Sequence, residues 1–174
     1  MPLTRKSGIR RKVRHSVPWQ VRPEECRSQF SRHQQERRGE PNVRIKFHRW
    51  TPPCGHELTV LPAGRWWDAV RATEPVGERA LRLLGADSGA VIQDRYGPLY
   101  WLVRPGAADG WDVRDVRVLG LSTTTASYIG VPPGHRTTSP GTHWRIAVGP
   151  DRYLTDAARL RGALLAALGE EVGR

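Results

Sequence analysis

Cysteine is nearly absent from this chain of 174 residues, which contains only Cys26 and Cys54. Neither lies in a C-x-x-C pair, so a disulfide framework and a thioredoxin-like redox motif are excluded, and a reducing cytoplasm is the expected compartment. Long apolar runs are also missing. No stretch approaches the roughly 18 to 20 residues of a membrane span, and no apolar run follows the basic residues up to Arg14, so neither a membrane partner nor a secretory signal is expected. Several catalytic patterns are absent as well: there is no P-loop, G-x-G-x-x-G, G-x-S-x-G or H-E-x-x-H. No D-x-D occurs, and Asp68, Asp87, Asp94, Asp112 and Asp115 are scattered. Two-metal catalysis needs carboxylates converging on ions about 4 Å apart, which such spacing does not supply locally.

What the chain has in excess is positive charge, +11 from 28 basic and 17 acidic residues. Residues 1–50 hold 14 Lys and Arg against 4 Asp and Glu, a balance of +10, whereas residues 51–174 hold 14 against 13. The charge therefore belongs to an arm attached to a near-neutral domain. Lysine accounts for only three of the 28 basic residues, Lys6, Lys12 and Lys46. Arginine in place of lysine is also what a GC-rich coding sequence produces, so not all of this charge implies a ligand.

Residues 1–52 read as a disordered basic arm, broken by Pro18, Pro23 and Pro41 and poor in apolar periodicity, and residues 53–170 as the folded domain. Helical spacing of Val76, Ala80, Leu81, Leu83 and Leu84 predicts a helix capped by Thr73 and stopped by Gly85. Five short apolar runs bounded by turn residues follow: Ala90 to Ile92, Leu99 to Val103, Val116 to Leu119, Tyr128 to Val131 and Trp144 to Val148. A C-terminal amphipathic helix is predicted from an N-cap at Thr155 or Asp156, through Ala157, Leu160, Leu164, Ala167 and Leu168, to about Gly169. The fold class implied is α+β, a small, mainly antiparallel sheet of about five strands packed with helices.

Candidate chemistry is sparse. Cys26, His33, His48, Cys54 and His56 cluster in sequence, with Cys54 and His56 the tight pair that a zinc site would use. In the arm, Arg10, Arg11, Lys12, Arg14, Arg37 and Arg38 are interleaved with Trp19, Phe30, Phe47 and Trp50, a composition that could neutralise phosphates and stack on unpaired bases. Ser122 to Thr125 and Thr137 to Ser139 lie in turn-rich segments without an evident activating base, and His135 and His143 read as solvated loop residues. Trp66, Trp67, Tyr100, Trp101 and Trp144 read as core or sheet-face aromatics in preference to a base-stacking platform.

The order of segments carries more than any single motif. Gly64 to Val70, a helix with Gly77, Ala80 and Leu81, Ser88 to Val91, Gly97 through Pro105-Gly106, Asp115 to Arg117 with Gly120, and Tyr128 to Pro133 follow one another over residues 55 to 165. In this order the chain resembles the bifunctional DNA primase/polymerase N-terminal domain (prim-pol) of the archaeo-eukaryotic primase superfamily, in its shortened actinobacterial form. The resemblance implies a divalent metal, Mg²⁺ or Mn²⁺, held by a D-x-D and a third acid, with a histidine on the nucleotide phosphates. Carried over, Asp68 takes the place of the first acid, Val70 that of the second, Tyr100 that of the histidine and Asp115 that of the third acid. Such a site would be vestigial, with no cofactor expected unless activity remains. The resemblance thus implies a degenerate domain associated with DNA or nucleotides. The alternative is a protein-interaction or scaffold domain with no nucleic-acid role.

Overall fold

Local chemistry sets the first helix. In the computed structural model, which describes residues 50–121 and 126–172, α1 spans Glu74–Leu84. Thr73 precedes it in extended conformation, Pro75 sits in the first turn, and Gly85 ends it at φ 51°. Proline there sacrifices an amide that has no helical acceptor anyway, and glycine accepts the positive φ without a Cβ clash. The second helix, α2, spans Ala157–Val172. Asp156 caps it by accepting the Arg159 amide at 2.9 Å, while the Thr155 hydroxyl instead accepts from Gly89 at 3.0 Å. The helix runs past Gly169, whose φ is not positive and which therefore does not act as a stop.

The strands are β1 Thr59–Pro62, β2 Asp68–Ala72, β3 Val91–Gln93, β4 Leu99–Val103, β5 Val116–Leu119, β6 Tyr128–Val131 and β7 His143–Ile146. Five form an antiparallel sheet in the order β5-β2-β4-β3-β7, and β1 pairs with β6 in a separate ribbon. The fold is α+β, with helices on a mainly antiparallel sheet, as composition and spacing predicted. Three details differ from the expectation. Tyr128–Val131 leaves the main sheet for the ribbon, its partner there, Thr59–Pro62, was not anticipated as a strand, and neither was Asp68–Ala72, which stands between β5 and β4.

Side chains alternate across the sheet with period two. Val70, Ala72, Leu99, Trp101 and Val103 face α1 and α2, meeting Val76, Ala80, Leu160 and Leu164. Ala69, Ile92, Leu102 and Trp144 face the other way, beneath Ile129 and Val131 of the ribbon. The sheet is thus the middle of three layers, buried on both faces near its centre.

Trp50 corrects the expected boundary of the arm. It is 8% exposed, stacks on Tyr153 at 6.2 Å and meets Trp67 edge-on at 5.6 Å. Apolar area of that size gains more from this pocket than from solvent or a loosely held base. Trp50 therefore belongs to the domain core. Trp67, Trp101 and Trp144 are likewise buried.

Candidate functional site

Asp68 is the first residue of β2 and, at 2% exposure, an acidic side chain held inside the domain. Val70, two residues on, and the cross-strand partner Val103 are fully buried on the helix face, so alternation along the strand carries the carboxylate inward on that face, opposite to Ala69. Its Oδ2 accepts the Gly106 amide at 2.7 Å, and Gly106 can aim that amide because it adopts φ 75° in the turn after Pro105. Its Oδ1 has no hydrogen-bond partner. Burial pushes the Asp68 carboxyl above the ordinary aspartate value; the Gly106 hydrogen bond opposes this, and the nearby Asp109 charge adds to it. Gly120 leaves room for Oδ1: a Cβ at that position would sit 2.8 Å from it.

An open depression of about 330 Å³ lies beside this glycine, lined also by Asp109, Trp111, Arg117 and Ser127. It runs along β5, the edge strand of the sheet.

The structure does not bring the other expected site residues to Asp68. Ala69 pairs with Leu119 and Ala72 with Val116, so Asp68 lies level with Gly120 and Asp115 level with Thr73, at opposite ends of the β2-β5 pair. Five residue steps separate them, roughly 16 to 17 Å at the usual strand rise. Asp115 is exposed, adopts φ 59° and lies 3.5 Å from the Arg114 guanidinium. Its place is that of a turn residue tolerating the left-handed region ahead of a strand. Val70 is fully buried among apolar neighbours on the helix face. Tyr100 points the opposite way, since it pairs with Arg71 while Asp68 pairs with Val103. One buried carboxylate with a single free oxygen, a valine and a distant aspartate do not fit a two-metal centre.

Of the zinc candidates, Cys26, His33 and His48 lie outside the described residues. Cys54 and His56 are both exposed, Cys54 is not a free thiol, and no group of three or more His, Cys, Asp or Glu side chains that could hold a metal ion occurs among the described residues. The ring contact of His56 is with His135, at 5.8 Å between centroids. Thr137 to Ser139 are exposed, and His143 Nδ1 lies 2.8 Å from the Gly141 carbonyl. Ser122 to Thr125, Cys26, and the arm residues Arg10, Arg11, Lys12, Arg14, Arg37 and Arg38 lie outside the described residues. No helix among the described residues is long and apolar enough to cross a membrane.

Sequence reasoning missed two features. The pocket that Gly106 and Gly120 form around Asp68 had a partial signal in the Pro105-Gly106 turn. The pairing of Arg71 with Arg117 had none, because register is a property of strand partners and not of either strand alone. Comparison with family models, with curated proteins and with solved structures finds no match to this chain.

Proposed function

We propose that this chain is a nucleic-acid- or nucleotide-associated domain of the prim-pol type that lacks nucleotidyl-transfer chemistry. The observation that carries the reading is the isolation of Asp68: it is buried, held by Gly106, separated from Asp115 by the length of β2, and followed two residues later by buried Val70. Nucleotidyl transfer depends on neutralising the triphosphate with metal ions held by converging carboxylates, and this arrangement does not supply them. The arm's balance of +10 supports association with a polyanion.

Two assays on the full-length protein test the reading. In template-primed extension with Mg²⁺ or Mn²⁺, no dNTP incorporation above background is expected; incorporation abolished by Asp115→Ala would overturn the loss of chemistry. Labelled single-stranded DNA should bind with an affinity that falls as salt rises. Neutralising Arg10, Arg11, Lys12, Arg14, Arg37 and Arg38 should flatten that dependence by about 0.7 in logarithmic slope for each phosphate that the arm no longer neutralises.

A second reading, a protein-interaction domain, is favoured by the outward face of the β1-β6 ribbon. Val60 is 67% and Tyr128 61% exposed there, with Leu58 at its margin. Absence of DNA binding at every salt concentration would select it.

A further inference from the structure

Arg71 and Arg117 are direct cross-strand partners on β2 and β5. Directly opposed residues have Cβ atoms about 4.5 to 5.5 Å apart, close enough for like charges to destabilise the sheet. The ion pairs of the described residues include Arg114 with Asp115, Arg145 with Glu78 and Arg159 with Asp87; none of these carboxylates balances Arg71 or Arg117. Asp109 lines the same depression as Arg117 but forms no ion pair with it. On the other side of Arg71, across β2 and β4, stands Tyr100. Arg117, Arg71 and Tyr100 thus form one row across three strands on one face of the sheet.

That row lies where cover runs out. Two residues along the strands, on the same face, Ala69 and Leu102 are fully buried beneath the ribbon. Arg71 and Tyr100 are half-buried and Arg117 is exposed. Packing does not require a guanidinium pair here, and the fold bears its mutual repulsion.

We propose that Arg71, Arg117 and Tyr100 form a phosphate-binding row for single-stranded nucleic acid, the two guanidiniums bridging a phosphodiester and the tyrosine ring taking an unpaired base. The assignment rests on the nucleic-acid reading above and locates a contact surface on the domain in addition to the arm. Guanidinium forks match phosphate oxygens bidentately. An anion between them converts the repulsion of the pair into shared attraction. An aromatic side chain beside such a charged row favours single strands, whose bases are free to stack.

The test is fluorescence anisotropy of a labelled oligothymidylate with the full chain at several salt concentrations. It compares the unsubstituted protein with Arg71→Gln/Arg117→Gln, with the single exposed-site variant Arg117→Glu, and with Tyr100→Leu. The double variant should bind about tenfold more weakly at moderate salt, with a logarithmic salt slope reduced by about 0.7, the value for one single-strand phosphate contact. Arg117→Glu should weaken binding further, and Tyr100→Leu should lower affinity while leaving the salt slope unchanged. Melting temperatures of the arginine variants should equal or exceed that of the parent, which separates a binding defect from a folding defect. Unchanged affinity and slope in both arginine variants would overturn the row while leaving the arm as the binder. Failure of the unsubstituted chain to bind would overturn the nucleic-acid reading together with the row. If inorganic triphosphate binds the row in an arginine-dependent way while the oligonucleotide is unaffected by the substitutions, the ligand is a free phosphate compound and the single-strand assignment falls.

Discussion

Gly106 donates its backbone amide to Oδ2 of Asp68 at 2.7 Å, joining the start of β2 to the turn that follows β4. The bond satisfies one carboxylate oxygen and leaves the other without a partner in the interior. An ionised group so placed is costly, and this is the physical cause of its raised pKa.

The sign of the resulting pH dependence follows from linkage. Because the folded-state pKa of Asp68 is raised above the ordinary 3.8, the native state holds a proton that the unfolded chain releases earlier. Asp68 therefore makes stability fall as pH rises from about 3.8 to its raised value, and the full penalty persists above that. Asp68→Asn retains an acceptor for Gly106 and removes the titration. The variant should melt higher than the parent at pH 7, with the difference shrinking as pH falls below the parent's folded-state pKa. Thermal melts from acid to neutral pH check this, and a variant less stable than the parent at pH 7 would contradict it.

Gly120 is the other side of the same contact. A Cβ at Gly120 would lie 2.8 Å from Asp68 Oδ1 and 3.0 Å from its Cγ, and Asp68 cannot swing aside without releasing Gly106. Gly120→Ala should destabilise the domain by about 1 to 3 kcal/mol, as overpacking of an interior contact does. In an Asp68→Ala background the same substitution should cost much less. Denaturant titrations of the four proteins measure the coupling, and additive effects would show that the two positions do not meet as described.

The buried tryptophans separate by their indole nitrogens. Trp101 Nε1 donates to Ser88 at 3.2 Å, whereas Trp67 Nε1 is buried with no acceptor. Replacing Trp101 by Phe removes a bond, while the Ser88 hydroxyl keeps its own donation to the Gly89 carbonyl at 3.3 Å; replacing Trp67 by Phe removes a donor that already lacks a partner. Trp101→Phe should therefore cost about 1 kcal/mol more than Trp67→Phe, over and above the volume change common to both. Equal losses in urea unfolding would mean that the Ser88 contact contributes nothing.

Much of this fold was legible where local signals and tertiary demands agree. The caps of α1 and the bounds of β4, β5 and β6 coincide with the sequence-based expectation. β2 was not legible. Asp68-Ala69-Val70-Arg71-Ala72 contains one β-branched residue, so its intrinsic β-propensity is weak; pairing with β4 on one side and β5 on the other makes it a strand. The partner of Tyr128–Val131 was hidden for a related reason, since nothing local to that strand distinguishes the ribbon from the main sheet. For the candidate site, residue type left Asp68 among scattered aspartates and only the resemblance singled it out; its burial, its distance from Asp115 and the turning away of Tyr100 all depend on register.

Trp50 shows how a local reading fails at a domain edge, and its energetics can be checked directly. By composition it stands among arm residues, two positions after His48 and next to Arg49. In the fold it lies between Tyr153 and Trp67, with Trp144 a further neighbour at 6.4 Å. An arm residue replaced by alanine would leave domain stability unchanged. Trp50 instead fills a pocket walled by three aromatic rings that cannot all relax inward, so Trp50→Ala should cost about 3 kcal/mol or more, the usual penalty for emptying a large aromatic from a core. Trp50→Phe should recover part of that loss by restoring one ring to the pocket. Urea unfolding of the full chain resolves such differences, and a midpoint unmoved by Trp50→Ala would return the residue to the arm and with it the boundary near residue 52.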